Sequence, residues 1–230
     1  MPSAGFYMGD IMITLDKRLS AVAALVRQGS RLADIGTDHA YLPVHLVQSG
    51  VCPSAIASDI GAGPLDAARR TVTENGLTSE IALRLGDGLA TVSADEVEDI
   101  AIAGMGGETI AAILEAAPWV RNEGIRLILQ PMTRAEDLRR WLLTNGFSVL
   151  EEHLIVDGRH LYPVLAAQYT GATDWDDLQV YGGFFDAEEG RPYRHMMAEH
   201  LRRRAAGLTH SGDLTAAAQL IDLSELLKRM

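Results

Sequence analysis

Apolar positions along this chain repeat at two spacings, one typical of helices and one typical of buried strands. Over residues 14–28 they recur every three to four positions, which predicts an amphipathic helix. Short continuous apolar runs at 31–36 and 55–59 predict buried strands, and helical spacing over 41–49 lies between them. A strand, a crossover helix and a second strand form a parallel βαβ unit.

The same alternation continues through most of the chain. It predicts helices near 64–75, 89–93, 107–116 and 134–145, and strands at 81–85, 99–103 and 125–129. The last two predicted strands, 147–156 and 159–168, flank Asp157-Gly158, a dipeptide typical of tight hairpins. We therefore predict an α/β fold with a mostly parallel, doubly wound, seven-stranded sheet that ends in an antiparallel hairpin.

The composition changes after Tyr169, where the polar segment 170–177 interrupts the pattern. Helical spacing returns over 190–207 and 213–229, with a turn at 208–213. Two apolar stripes are predicted to face each other: Met197, Leu201, Ala205 and Leu208 on one helix, and Leu214, Ala217, Leu220, Ile221, Leu223 and Leu227 on the other. We expect a sheet domain over 1–170 and a helical hairpin over 171–230 that binds a partner, packs on the sheet domain or dimerises.

Composition excludes several classes of protein. The 230 residues are 47% hydrophobic and 22% charged, as in an ordinary globular protein and unlike a disordered one. Residues 1–10 lack a basic region followed by an apolar run, and no stretch of about 20 apolar residues occurs, so we expect a cytoplasmic protein without a membrane span. Cys52 is the single cysteine, and no Cys/His spacing fits zinc, so we expect neither a disulfide nor a metal.

Charge is distributed unevenly. The net charge of −11 argues against a general nucleic-acid binder. Between positions 191 and 204, however, a single acid, Glu199, stands among five arginines: Arg191, Arg194, Arg202, Arg203 and Arg204. A guanidinium group suits phosphate contacts, although these arginines also fit a solvated helix face or pairing with the acidic segment 174–177.

The first predicted βα loop carries unusual polar residues. In a doubly wound sheet, ligands bind beyond the carboxyl ends of the strands, and Gly36 would let the backbone approach one there. The loop departs from the G-x-G-x-x-G dinucleotide pattern, since Asp38 and Tyr41 stand where the second and third glycines would be. A carboxylate at that place repels a pyrophosphate, so a cofactor without phosphate and with positive charge, such as S-adenosylmethionine (SAM), fits better than NAD.

The next two strands end in further acidic positions. Asp59 ends the second strand, where a carboxylate can accept both ribose hydroxyls of an adenosine cofactor, or can cap a helix. Gly86-Asp87-Gly88 follows the third strand, where the carboxylate could accept an adenine amino group, or could belong to an ordinary turn.

The loops after the fourth and fifth strands differ from these. Residues 103–107 are almost devoid of side chains, which permits either a flat base to approach or a helix to pack closely. Residues 130–134 place an amide and a cation at the same edge, with Thr133 as a candidate helix cap and Arg134 as a candidate surface residue.

On these motifs the sequence resembles the TrmK family, the bacterial tRNA (adenine-N1)-methyltransferases that act on the adenine at position 22. The resemblance spans most of the chain and is carried by KRL (17–19), ADIGTDHAYLP (33–43), GP (63–64), RLGDGL (84–89), IAGMGG (102–107) and LQP (129–131). It implies a Rossmann-like class I SAM-dependent methyltransferase domain and a C-terminal coiled-coil-like hairpin that helps to bind tRNA. Two positions depart from the family pattern: Met132 replaces Asn, and Asp59 replaces Glu.

The candidate residues follow from the loops and the resemblance together. Candidate cofactor-binding residues are Asp34, Gly36, Asp59, Ile60, Asp87, Gly88, Gly104, Met105 and Gly106. Candidate substrate-binding residues are Arg18, Tyr41, Gln130, Pro131, Met132 and Arg134, with the five arginines of the 191–204 segment. Adenine N1 has its own lone pair and the product is cationic, so a carboxylate beside the base would aid transfer. Asp38 is the first candidate and His39 the second, and the alternatives are a helix cap and a packed histidine.

Three other functions remain open at this point. A small-molecule methyltransferase would use the hairpin as a lid or dimer contact, an NAD-dependent oxidoreductase would need a fuller glycine pattern, and a SAM- or RNA-binding module would lack activity. The Asn-Pro-Pro-Tyr motif of amino-group methylation is absent from the sequence, and Cys52 precedes the second strand, at the wrong end of the sheet for covalent catalysis. We expect a monomer or a weak homodimer.

Overall fold

The computed structural model of the chain describes residues 12–171 and 174–230. The strands are β1 (Leu32–Ile35), β2 (Ala55–Asp59), β3 (Ile81–Leu85), β4 (Asp99–Gly106), β5 (Arg126–Thr133), β6 (Phe147–Asp157) and β7 (His160–Tyr169). The helices are α1 (Lys17–Leu25), α2 (Tyr41–Gln48), α3 (Ala62–Glu74), α4 (Gly107–Glu115), α5 (Ala135–Thr144), α6 (Asp177–Gly182), α7 (Ala187–Ser211) and α8 (Leu214–Arg229), and a 3₁₀ turn covers Pro118–Val120.

The strands form one seven-stranded sheet in the order β3-β2-β1-β4-β5-β7-β6. The pairs from β3 to β5 are parallel, whereas β7 runs antiparallel to both β5 and β6. The predicted fold class, with its parallel sheet and closing hairpin, is confirmed. Since the chain goes from β3 back past β2 and β1 to β4, the strand order reverses between β1 and β4.

Helices cover both faces of the sheet, and alternate strand residues point to opposite layers. Along β1, Ala33 and Ile35 join the core cluster that includes residues of α4 and α5, whereas Leu32 joins the cluster that includes residues of α1, α2 and α3. All four residues of β1 are buried, as expected for a central parallel strand. The two apolar layers hold the carboxyl ends of β1 and β4 rigidly side by side.

One predicted helix, at 89–93, was wrong. The segment between β3 and β4 consists of successive tight turns, with Ala90 N donating to Asp87 O and Val92 N to Leu89 O. The Arg84 guanidinium occupies the Thr91 carbonyl oxygen at 2.5 Å and pairs with Glu96. The Ser93 amide, which a helix over 89–93 would use to bond Leu89 O, donates instead to Glu96 Oε2 at 2.9 Å, so the segment is a loop.

Most element ends lie within a few residues of the prediction. Asp16 caps α1 by accepting a hydrogen bond from Leu19 N at 2.8 Å, so this helix begins at residue 17 and is shorter than predicted. Strands β4 and β5 run three to four residues further than predicted, through an irregular register that starts at Ala103. Thr133 is not a cap, because α5 begins after Arg134 in a left-handed conformation (φ 57°) with no side-chain cap among the described residues.

The C-terminal helices differ from the prediction in length and in contacts. Helix α6 was not predicted, α7 is 25 residues long, and the turn between α7 and α8 shrinks to Gly212 and Asp213. The Asp213 side chain caps α8 by accepting a hydrogen bond from Ala216 N. Leu214 and Ile221 are exposed, so the second predicted stripe is narrower than expected. The buried faces of α6, α7 and α8 form a cluster that also contains Leu154 of β6, and so these helices pack on the antiparallel end of the sheet.

In the described part of the chain, no helix combines the length and the apolar character that crossing a membrane requires. The expectation about a leader falls on residues 1–10, which lie outside the described residues.

Candidate active site

The polar loops predicted from sequence converge at the carboxyl edge of the parallel strands, where β1 and β4 separate. Two clefts of about 380 and 240 Å³ lie there, and Gly36 borders both of them. The larger is lined by the β1–α2 loop, the start of α1 and Gly104, and the smaller by the ends of β2 and β3 and by α4. Together they form an elongated groove across the sheet edge, the usual ligand position in this class of fold.

Asp34 provides a buried carboxyl group at the inner wall of the larger cleft. Its Oδ2 accepts a hydrogen bond from the Thr37 hydroxyl at 2.6 Å, and the residue is 6% exposed. Burial raises the pKa of Asp34 to about 6, with a further rise from nearby Asp59 and an opposing effect of the Thr37 hydrogen bond. This carboxylate is therefore short of positive partners and would gain from a cationic ligand.

Asp38 and His39 stand at the tip of the same loop, exposed to the cleft. Asp38 has φ 50°, its amide donates to Asp59 Oδ2 at 3.3 Å, and its side chain is 70% exposed. His39 stacks on Tyr41 with ring centroids 5.2 Å apart and lies 3.7 Å from the Asp38 carboxylate. Helix α2 begins after Ala40, so Asp38 is not its cap. The His39 side chain is 46% exposed, so the packed-histidine alternative does not describe it.

The smaller cleft gathers the acidic positions of β2 and β3. Asp59 Oδ1 accepts from Gly61 N at 2.8 Å, and Gly61, not Asp59, precedes α3 as its cap. Ile60 is 70% exposed and also lines this cleft, where its side chain suits the face of a flat ring. Asp87 and Gly88 also line this cleft.

Glycines near the groove provide either an unusual backbone conformation or space for a neighbouring segment. Gly36 has φ 74°, a backbone conformation that favours glycine, and a Cβ atom there would also displace the terminal methyl group of Met105, 2.2 Å away. At Gly107 a Cβ atom would lie 2.1 Å from the backbone oxygen of Arg134. At this position, therefore, the missing side chain allows a helix to pack closely, which was one of the two alternatives for residues 103–107. Gly104 (φ 81°) lines the larger cleft, as predicted for a site residue.

Gln130 is not where the prediction of direct substrate contact would place it. Its side chain is fully buried, and its Oε1 accepts from Arg18 at 2.9 Å and from Gly104 N at 3.1 Å. Its Nε2 donates to the Pro131 oxygen at 3.0 Å, and Pro131 is buried as well. The amide is thus used internally, and it positions Arg18 and Gly104 at the cleft wall.

Arg18, in contrast, lines the larger cleft, and Met132 lies beside it. Arg18 is partly exposed, pairs with Asp16 at 3.2 Å and lies over the ring of Tyr162 at 5.8 Å from its centroid. Met132 is 37% exposed and contacts Arg18 through its sulfur at 3.6 Å.

Several residues that line or border the groove were not candidates from sequence. Thr109 and Ile113 of α4 line the smaller cleft, Asp16 lines the larger one, and Tyr162 supports Arg18. The strand pattern could have located Tyr162, since an antiparallel β7 brings its first residues beside the last residues of β5.

The predicted arginines occupy three kinds of surroundings. Arg203 and Arg204 are exposed on α7, and Arg202 pairs with Glu199 and Glu225. Arg194 is a correction: it is 3% exposed and donates to the carbonyl oxygens of Phe185 and Ala187, so it stabilises the start of α7 and cannot reach a ligand on the surface.

The two remaining predicted arginines lie in different surroundings. Arg134 pairs with Asp137 at 2.5 Å and with Glu108 at 3.2 Å, at the outer end of β5. Arg191 borders a small cleft between α7 and the end of α8. Among the described residues, no group of three His, Cys, Asp or Glu side chains could hold a metal ion.

Comparison with known proteins agrees with this geometry. A family described as a methyltransferase domain matches residues 15–165. The tRNA (adenine(22)-N(1))-methyltransferase of Bacillus subtilis is 42% identical over 156 residues, which are 68% of this chain and 66% of that enzyme, slightly less than two thirds of its length. The crystal structure of B. subtilis TrmK, an M1A22 tRNA methyltransferase, has 31% identity and a TM-score of 0.84 over 94% of this chain and 99% of that one.

A third relative bears on the groove. Sp1610 of Streptococcus pneumoniae, crystallised in complex with S-adenosyl-L-methionine, has 35% identity and a TM-score of 0.78 over 94% of this chain and all of that one.

The groove lies where the strand order reverses between β1 and β4, and the sheet ends in two antiparallel strands. Together with the matching methyltransferase domain, these features define a Rossmann-like methyltransferase. Within that class, the similarity over nearly the whole chain is specific: the chain belongs to the TrmK family.

Proposed function

We propose that this protein transfers a methyl group from SAM to N1 of an adenine in tRNA, the adenine at position 22. One observation carries the proposal: in a chain of the TrmK family, the acidic loops converge on one groove. The larger cleft of this groove contains the buried Asp34 and the exposed Asp38, and the smaller cleft contains Asp59, Ile60 and Asp87. An enzyme that modifies tRNA meets its substrate in the cytoplasm.

The residues present fit SAM. Asp34, buried and without a cationic partner among the described residues, would accept the positively charged amino end at the larger cleft. Asp59 would accept the ribose hydroxyls, and Ile60 and Asp87 would hold the adenine by its face and its amino group. When bound, SAM supplies a methyl group on a sulfonium centre that is a strong electrophile.

The chain's own contribution to transfer is alignment and charge. Adenine N1 needs no deprotonation to attack, so a substrate base held in line with the methyl group supplies much of the rate. Asp38 would accept the adenine amino group and stabilise the positive charge that develops on the ring. Tyr41 and His39 would contact the base face beside it, and Gly104 leaves room for the ring at the cleft wall.

Binding energy from the rest of the tRNA must expose the base. N1 lies on the pairing edge, so the adenine has to leave its stack at a cost of a few kcal/mol. Arg203 and Arg204 on α7, together with Arg191 and Arg134, are the candidates for phosphate contacts that offset this cost.

Methylation of a defined transcript tests the proposal. Purified protein is incubated with labelled SAM and an unmodified tRNA transcript carrying adenine at position 22, and the nucleosides are separated by mass spectrometry. We expect N1-methyladenosine with this transcript and none with a matched transcript carrying guanine there. Label in small molecules of a tRNA-free extract, or methylation at another nucleotide, would contradict the proposal.

A further inference from the structure

The tip of the β6–β7 hairpin carries two stacked aromatic rings beside the groove. His160 and Tyr162 lie two residues apart on the same face of β7, with ring centroids 5.8 Å apart and planes 17° from parallel. His160 is exposed and Tyr162 is half-buried. Neither ring was a candidate from sequence, and neither is needed to hold SAM or to align the methyl group.

These rings connect directly to the active-site groove. The Arg18 guanidinium lies over the Tyr162 ring, 5.8 Å from its centroid, and Arg18 also lines the larger cleft. Three planar groups, Arg18, Tyr162 and His160, therefore form a continuous row of contacts that starts at the cleft and ends at the exposed imidazole.

The surroundings of the row suit a nucleotide. A cleft of about 210 Å³ runs along the hairpin tip and is bordered by the partly exposed side chains of Met132 and Met196. Arg159 borders the same cleft, is exposed, and has no ion pair among the described contacts, so its guanidinium is available to a phosphate.

We propose that this row is a stacking platform for the nucleotide adjacent to the target adenine, with the base on His160 and its phosphate at Arg159. The inference rests on the proposed function and adds a tRNA-positioning site to it. When the target base leaves its stack, a neighbouring base loses a stacking partner, and an aromatic ring at the groove edge replaces that partner. Because every base has a flat face, such stacking tolerates different sequences.

Steady-state kinetics with single variants tests the platform. We expect His160→Ala to raise the KM for tRNA about tenfold, within the range measured for loss of one aromatic–base stack, while kcat and the Kd for SAM stay unchanged. His160→Phe keeps a flat ring and should restore the KM. Val156→Ala is the matched control, because Val156 is exposed on the same hairpin and pairs with Leu161, on the opposite face from Tyr162.

Fluorescence gives a second readout that a purely structural role would not change. A transcript with 2-aminopurine beside the target adenine should lose fluorescence on binding the wild type and His160→Phe, and should retain it with His160→Ala. Thermal unfolding of all variants should match the wild type, since His160 is exposed.

An unchanged KM for His160→Ala, or a KM that His160→Phe does not restore, overturns the platform while wild-type methylation of tRNA still supports the proposed function. If the wild type does not methylate tRNA, the proposed function itself fails.

Discussion

At the scale of single residues, the exposed loop tip of Asp38 is the feature most closely tied to chemistry. The residue adopts φ 50°, which Asn and Asp tolerate better than most side chains, so Asp38→Asn removes the charge and keeps the backbone. We expect kcat for tRNA methylation to fall about 100-fold with little change in the Kd for SAM, because the lost charge acts on the developing cation. Single-turnover rates with labelled SAM measure the effect. Asp222→Asn, an exposed carboxylate on α8, serves as the control, and equal rates for both variants would exclude Asp38 from catalysis.

The buried carboxyl group of Asp34 is expected to lower the stability of the fold while it favours the binding of SAM. Its pKa is raised to about 6 in the folded protein, mainly by burial, so the unfolded chain ionises first as the pH rises. Folding is thus penalised progressively between about pH 4 and pH 6, and fully above that, by up to about 3 kcal/mol at 1.4 kcal/mol per pKa unit.

Asp34→Asn should therefore raise the free energy of unfolding more at pH 7.5 than at pH 5, as measured by urea denaturation. The same variant should bind SAM more weakly at pH 7.5, because the cationic amino end loses its carboxylate partner. A stability gain that is the same at both pH values would contradict the ionisation argument.

At the scale of elements, one buried ion pair joins α5 to β6 and to the C-terminal helices. Arg139 and Glu152 are both fully buried and 2.5 Å apart, and Arg139 also donates to Val180 O at 3.0 Å and contacts the Tyr193 hydroxyl at 3.2 Å. Glu152 accepts in turn from Phe184 N at 2.7 Å. The pair thereby ties the segment around α6 to the sheet.

Removing one partner of this pair should be costly. Glu152→Ala leaves the Arg139 charge buried without compensation, and we expect a loss of about 3–5 kcal/mol in the free energy of unfolding. The double variant Arg139→Met/Glu152→Leu should be clearly more stable than Glu152→Ala, because it removes both charges and fills the space. Chemical denaturation compares the two, and equal stabilities would show that packing, not the uncompensated charge, dominates.

At the scale of the whole molecule, the net charge of −11 repels a polyanion such as tRNA, so exposed arginines without acidic partners matter most for the proposed tRNA binding. Arg203 and Arg204 are exposed on α7, while Arg202 is held by Glu199 and Glu225. We expect Arg203→Ala and Arg204→Ala each to weaken tRNA binding. Affinity falls as salt concentration rises, and each variant should make the negative slope of log affinity against log salt concentration less steep by about 1.

Filter binding between 50 and 200 mM salt measures these slopes. Asp38→Asn should leave the slope unchanged, since it acts on the base and not on phosphates. Unaltered slopes for both arginine variants would indicate that this face of α7 does not contact tRNA.

Much of the architecture could be predicted because it depends on local spacing. The seven strands follow from short apolar runs, and the closing hairpin from Asp157-Gly158. The helix predicted at 89–93 failed because the Ser93 amide bonds the side chain of Glu96, which Arg84 holds in place, and residue spacing does not encode these side-chain contacts.

The sequence by itself determined which loops are chemically unusual and in which order they meet the sheet edge, because parallel strands bring their carboxyl ends together whatever packs around them. Only the tertiary structure decided which of those polar groups remain free. It buried Gln130 and Arg194 in internal hydrogen bonds, left Asp38 exposed, and placed Tyr162 against Arg18. Burial and long-range pairing depend on distances between segments far apart in the chain, and residue spacing carries no record of those distances.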